Sequence, residues 1–270
     1  MDLSILIPVY KWDCSDLVND LETQARTLGI SYEIIEADDE QLQMGRAGIR
    51  NHLADLSRGR RLLFIDCDAG VERDTFLKEY LAAADASGAQ VVCGGLYHAA
   101  KMPSADVSLR WRYEHRADRR RGAHYRSQHP CEHFTPFNFL IERELFMRIR
   151  FDKRIKGYGH EDTLFGRQLA EQGITPLHID NPLIHLGLES NRRYLEKTRS
   201  ALRNLRYFHA DLNGYSSVLK AFRVLRRLGF NNLAATLFNM FRPQLEKHLC
   251  GSRPSLFLFK LYKLGYYCHL

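Results

Sequence analysis

Apolar and polar positions along the first hundred residues switch repeatedly between two spacings. Leu3 to Val9 is a short apolar run that closes on Pro8 and Tyr10, the mark of a buried strand. "SDLVNDLETQARTLG" then spaces Leu17, Val18, Leu21 and Ala25 as a helix would, with Ser15 or Asp16 to cap it and Gly29 to stop it. "YEIIEADDE" is a second strand ending in acids, "GRAGIRNHLADLSRG" a second helix and "RLLFIDCDAG" a third strand. "DTFLKEYLAAADASG" and "AQVVCGGLY" repeat helix and strand. This alternation predicts a largely parallel sheet with helices on both faces. Ligands of such sheets gather at the carboxyl ends of the strands.

After Leu96 the alternation breaks. A basic loop leads to "FTPFNFLIERELFMRI", which predicts a strand and a helix. In "FDKRIKGYGHEDTLFGRQLAEQG" a glycine-rich loop opens a helix at Glu161 and Asp162, and "ITPLHIDNPLIHLG" is a strand with its exit. From about Tyr194 onward the spacing is helical, and no internal repeat is visible.

Composition places the chain among ordinary soluble globular proteins, with 45% hydrophobic and 26% charged residues. Its 270 residues suffice for one large α/β domain, or a core with an appendage. No run of about 18 apolar residues predicts a spanning helix. "MDLSILIP" lacks the basic region and cleavage site of a signal peptide, so a cytoplasmic location is expected. Six scattered cysteines without a C-x-x-C pair read as free thiols in a reducing compartment. His129, Cys131 and His133 in "HPCEHF" are candidate ligands, although ordinary loop residues are the simpler reading.

The net charge of +7 is unevenly placed. Asn204 to Leu270 holds ten Lys or Arg and two acids, a net of +8, so the remainder is near neutral. "SVLKAFRVLRRLG" sets Val218, Leu219, Phe222, Leu225 and Leu228 broadly on one face, with Lys220, Arg223, Arg226 and Arg227 around them. Helices packed on the core, or docked on an anionic membrane surface, both account for this tail. The second basic run, "RADRRRGAHYR", reads as a solvated face or as a lid over phosphates.

Three strands end in chemically distinctive residues: Pro8-Val9-Tyr10, Asp38-Asp39 and Asp66-Cys67-Asp68. Carboxylates gathered at one sheet edge need a cation or hydrogen-bond donors there. D-x-D after a strand suits Mg²⁺ or Mn²⁺ held by hard oxygen ligands, and equally suits a polar turn. Cys67 points away from both acids by strand alternation and is expected to pack inward. "GYGHEDTLFG" joins two permissive glycines to Glu161 and Asp162 in a first helical turn, a place for a carboxylate general base. His185 in "NPLIHLG" is either structural or the completing ligand of a metal site begun by Asp68.

Taken together, "ILIPVY", "YEIIEADD", "GRAGIRN", "LLFIDCDAG", "GYGHEDTLFG" and "IHLG" resemble, in order, the family 2 glycosyltransferases of the nucleotide-sugar-binding, D-x-D type. "GYGHEDT" is similar to the acidic motif of galactosyltransferase-like members. The likeness covers roughly residues 1 to 200. It implies a glycosyltransferase A-type α/β fold, a Rossmann-like mixed sheet flanked by helices, with a C-terminal helical extension. It implies a catalytic domain at 1–203, divided into a nucleotide-sugar half (1–100) and an acceptor half (101–203), and a basic extension at 204–270. The activity implied is inverting transfer from a UDP-sugar to a hydroxyl of a glycan or glycolipid. By the same resemblance Pro8, Tyr10 and Asp39, or Asp38 in its place, hold uracil and ribose, and Arg46 and Arg50 approach the diphosphate. Asp66 contacts ribose or a metal-bound water, Asp68 and His185 ligate a divalent metal (Mn²⁺ or Mg²⁺), Asp162 is the base, and Glu161 supports acceptor or loop. The chain departs from the family between Asp39 and Gly45, where only "EQLQM" replaces a usually longer segment.

Three rivals fit less of the sequence. A haloacid-dehalogenase-type phosphatase wants Thr or Val where Gly70 follows the second aspartate, and a D-x-D nearer the N-terminus. A nucleotidyltransferase wants a glycine-rich basic loop after the first strand, and "PVYKWDCSD" supplies none. A non-enzymatic basic protein bound to a membrane surface or nucleic acid would rest on the tail alone, and no nucleic-acid module is recognisable, so no nucleic-acid partner is expected.

Overall fold

The computed structural model describes residues 1–118, 121–155 and 157–270. The N-terminal elements are β1 (Leu3–Val9), α1 (Ser15–Leu28), β2 (Tyr32–Asp38), α2 (Asp39–Leu42), α3 (Gly45–Leu56), β3 (Arg61–Ile65), β4 (Ala69–Gly70), α4 (Phe76–Ser87), β5 (Val91–Cys93) and β6 (Leu96–His98). Next come α5 (Ser108–Asp118), α6 (Ala123–Arg126), β7 (Asn138–Glu142), α7 (Arg143–Ile149), α8 (Glu161–Glu171), β8 (Leu177–His178) and β9 (Leu183–His185). Four helices finish the chain: α9 (Asn191–Tyr207), α10 (Ser217–Arg227), α11 (Asn231–Leu249) and α12 (Leu256–His269).

These elements form two compact units. The first comprises residues 1–99, 118–154 and 161–187; the second comprises 100–117, 155–160 and 188–270. The break at 203/204 follows charge, whereas the units follow contacts, so segments of 101–203 are found in both.

The first unit is built on a six-stranded sheet in the order β2-β1-β3-β7-β5-β8. β1 runs parallel to β2 and β3, and β5 runs parallel to β8, but β7 is antiparallel to both its neighbours. The sheet is therefore mixed. β7 is reached from β6 through α5 and α6, and its sense is set by its antiparallel pairing with β3 and β5. Strand alternation divides the core. Leu3, Ile5, Ile7, Leu63 and Ile65 face Leu17, Leu21, Phe76 and Leu77 of α1 and α4, while Leu6, Leu62 and Phe64 face Leu53, Phe146 and Phe165 of α3, α7 and α8. Cys67 is buried in the first of these layers, as strand alternation predicts. A second sheet, β4-β9-β6, pairs Ala69 with His185 and His185 with His98.

The second unit is helical. α12 buries Phe259, Tyr262, Tyr266 and Tyr267. Its Gly265 lets α11 approach closely, because a Cβ there would lie 2.7 Å from the Phe238 side chain. The Tyr262 hydroxyl donates to Glu246 at 2.7 Å, and Arg199 of α9 reaches the same carboxylate at 2.9 Å. Among the described residues, no helix is long and apolar enough to cross a membrane.

Candidate active site

Because β1, β2 and β3 are parallel, their carboxyl ends fall along one edge of the sheet and bring Tyr10, Asp38, Asp39, Asp66 and Asp68 to it. Pro8 is half-buried in β1, and Tyr10 beyond it is 49% exposed, an open aromatic face. Asp38 caps α2 by accepting from the Glu40 N–H at 2.8 Å. Asp39 accepts from the Gly45 N–H at 2.8 Å. The short "EQLQM" segment is thus folded as one helical turn that its two aspartates hold against α3.

α3 presents Arg46 and Arg50 one turn apart. Arg50 is only 2% exposed and ion-pairs with Asp66, the first aspartate of D-x-D. Its guanidinium also lies 5.7 Å from the centre of the Phe151 ring. Arg46 is more open and pairs with Glu161 at 3.4 Å. Burial pushes the Glu161 carboxyl up, but Arg46 and Arg50 more than offset this and hold it below the usual carboxylate range. Asp162 follows in the same first turn of α8 and accepts from the Thr163 N–H at 2.7 Å.

Asp68 Oδ2 lies 3.1 Å from His185 Nε2. The β4–β9 register sets this distance, and the Leu186 N–H donating to the Asp68 carbonyl at 2.9 Å fixes it further. His185 Nδ1 meets His98 Nε2 at 3.1 Å, and His98 Nδ1 meets Asp118 Oδ1 at 3.1 Å. Arg121 pairs with Asp118 at 3.3 Å and approaches the same nitrogen of His98 at 3.3 Å. With Asp118 accepting from His98 Nδ1–H, His98 Nε2 accepts from His185 Nδ1–H and the lone pair of His185 Nε2 is turned on Asp68. With Arg121 donating to His98 Nδ1 the relay reverses, and His185 Nε2–H donates to Asp68. In the first arrangement a carboxylate oxygen and an imidazole nitrogen lone pair at this distance are a donor set for a divalent cation. Gly187 completes the cradle, since a Cβ there would come within 2.7 Å of the Asp68 carboxyl carbon. These residues therefore fit a metal.

The "GYG" loop is tied down within the helical unit. Asn204 of α9 donates to the carbonyls of Tyr158 and Gly159 at 3.2 and 3.3 Å, and the Tyr158 N–H donates to Ser200 at 3.2 Å. Gly157 and Gly159 have φ of +74° and +101°, and a Cβ on Gly157 would lie 2.7 Å from Ser200 Oγ. The glycines serve close approach here, where the sequence reads as an adaptable loop.

The structure thus brings Asp68 to His185, Arg50 to Asp66 and Arg46 to Glu161. It does not unite His129, Cys131 and His133 as a ligand group; the Cys131 thiol turns instead to the Ile174 carbonyl at 3.5 Å. Arg119 and Arg120 of "RADRRRGAHYR" lie outside the described residues. Sequence reasoning did not single out His98, Asp118, Gly187 or Asn204. Their roles depend on strand register and close packing, and the one available signal was the glycine in "IHLG".

Residues 17–150 match the model of the glycosyl transferase family 2. No curated protein matches the chain significantly. Among solved structures, mannosyl-3-phosphoglycerate synthase from Rubrobacter xylanophilus superposes with a TM-score of 0.50 at 14% identity, over 77% of this chain and 75% of that one. S. aureus TarS 1–349 in complex with UDP-GlcNAc gives 0.47 at 17% identity, over 79% of this chain and 67% of that one, so the chain spans about two thirds of it. Glucosyl-3-phosphoglycerate synthase from Mycobacterium tuberculosis, in complex with Mn²⁺, UDP-glucose and phosphoglyceric acid, gives 0.48 at 12% identity, over 76% and 79%. With the mixed sheet and the acidic strand ends in place, residues 17–150 are similar to the glycosyl transferase family 2, and the chain has the glycosyltransferase A-type fold.

Proposed function

We propose that this protein is a glycosyltransferase, an inverting enzyme that moves a sugar from a UDP-sugar to a hydroxyl of a glycan or glycolipid acceptor. The observation that carries the reading is the convergence of Asp68 and His185 at the edge of a domain similar to family 2. Asp68 and His185 would hold Mn²⁺ or Mg²⁺, with Asp66 close by. When bound, the ion supplies positive charge against the diphosphate oxygens.

The chain's own groups take the remaining roles. Tyr10 offers its exposed ring to the uracil, with Pro8 beside it, and Asp39 or Asp38 accepts from base or ribose. Arg50 keeps Asp66 oriented as a ribose contact, while Arg46 is exposed enough to meet a phosphate oxygen. Asp162 takes the proton from the acceptor hydroxyl as that oxygen attacks the anomeric carbon from the face opposite UDP. Glu161 stays ionised beside Arg46 and anchors the start of α8. The catalytic work belongs to residues 1–203, and the free cysteines suit a reducing, cytoplasmic setting.

A panel of nucleotide sugars, scored for Mn²⁺-dependent UDP release and thermal stabilisation, tests the proposal. A positive response to one UDP-sugar, with an inverted anomeric centre in the product by NMR, is expected. A flat response to every UDP-sugar would overturn the donor assignment.

A further inference from the structure

The sequence pattern sets the apolar stripe of α10 at Leu219, Phe222 and their neighbours, but these are largely spent inside the helical unit. Leu219 is buried, and Phe222 packs edge-on against Tyr267 with ring centres 5.0 Å apart. Phe259, Tyr262, Tyr266 and Tyr267 of α12 are likewise interior, while Phe257 and Leu261 of that helix are exposed. Large apolar side chains are left bare elsewhere. Val224 and Leu228 are 56% and 61% exposed at the end of α10, and Phe230 is exposed in the connection. On α11, Leu233, Leu237, Met240 and Phe241 are also exposed. The α11 residues fall at i, i+4, i+7 and i+8, which is one face of a helix.

Charge around this face has a single sign. Lys220, Arg223, Arg226 and Arg227 on α10 are all exposed, and no acid occurs between Asp211 and Glu246. The first half of α11 carries no charge at all. An apolar helical face beside a cluster of exposed cations has the chemistry of an interfacial helix, with apolar side chains for the acyl boundary and cations for anionic headgroups. A second copy of this chain is a poorer occupant, because a two-fold interface here would set the four cations against their own images.

We infer that the end of α10, the connection at 228–230 and the first half of α11 form a docking surface for anionic lipid bilayers. The surface stands independently of the transferase chemistry, since none of its residues belongs to the candidate active site.

Cosedimentation of the full chain with vesicles tests it. One set is phosphatidylcholine alone; the other contains about one third phosphatidylglycerol. Binding to the anionic vesicles should be at least about tenfold tighter than to the neutral ones and should weaken in high salt. The variant Leu233→Ser/Leu237→Ser/Met240→Ser should lose about tenfold in binding while keeping its circular dichroism and melting temperature. Should that variant misfold, Arg226→Glu/Arg227→Glu, altered only at exposed side chains, should show the same loss. Equal partition onto both vesicle types, or onto neither, overturns the inference. So does a micromolar dimer that the charge reversals leave intact and that excludes vesicle binding, which would assign the face to a second copy.

Discussion

At residue 187 there is no room for even a methyl group, because it would press on the Asp68 carboxylate. Gly187→Ala should therefore act on the same property as Asp68→Ala. Each is expected to weaken Mn²⁺-dependent UDP binding by about tenfold or more, the scale of losing or disturbing a metal's supporting shell. Unchanged calorimetric affinity in Asp68→Ala would remove that residue from the metal site. Asp162→Asn should separate differently, abolishing transfer while UDP affinity stays near wild type, because the base acts on the acceptor. Near-normal turnover would assign the base elsewhere. Arg50 is buried against Asp66, so Arg50→Met should cost about 3 kcal/mol or more in chemical denaturation, with partial recovery in Arg50→Met/Asp66→Asn. At this scale Asp68, His185, Glu161 and Asp162 could be named as candidates, because carboxylates and a histidine at strand ends and in a helix's first turn are unusual enough to notice, and the structure brings Asp68 to His185. The Arg50–Asp66 pair and the His98–Asp118 support were not, because one sequence does not say which residues meet across a sheet.

Among the elements, α8 begins where its glycine loop and acids announce it, at Glu161. The sense of β7 was invisible, because a short apolar strand carries no mark of direction. The short strands at the far edge are held by something else the pattern did not disclose. Arg126 of α6 donates to the carbonyls of Cys93, Gly94 and Ile179, and to His178 Nδ1 at 2.7 Å. The other nitrogen of His178 donates to the Pro130 carbonyl at 2.9 Å. Burial lowers the His178 imidazole to about 4, and the Arg126 charge pushes in the same direction. A histidine whose folded value lies below its unfolded one contributes fully above the unfolded value of about 6.5. That contribution is lost as pH falls from there through about 4. Denaturation from about pH 7.5 to 4.5 should thus lose on the order of 3 kcal/mol through this group, and His178→Gln should flatten that limb. An identical slope in the variant would place the acid sensitivity elsewhere.

For the whole molecule, the cysteine pattern makes a direct statement about reactivity. Burial raises the thiols of Cys14, Cys67 and Cys93 to about 12, about 11 and about 12, respectively. Cys250 is exposed. Maleimide should label Cys250 first in the native protein and reach those three only on unfolding. Early labelling of Cys67 would contradict its place in the core. The separation of charge, a near-neutral first two hundred residues and a cationic tail, was legible from composition. Which part of that tail turns its apolar side chains outward was not, since α10 and α12 have equally persuasive stripes and packing uses them.

The order of strands also bears on synthesis. β3 and β5 are both translated before residue 100, yet the sheet seats β7 between them. A nascent chain stopped at residue 99 therefore holds two strands that lack their shared partner, with β3 offering an unpaired edge. The ribosome must deliver some forty further residues before that gap is filled, and β8 and β9 arrive later still. Closure of the sheet is thus a late, long-range event, and during that interval the chain is most exposed to mispairing with its neighbours.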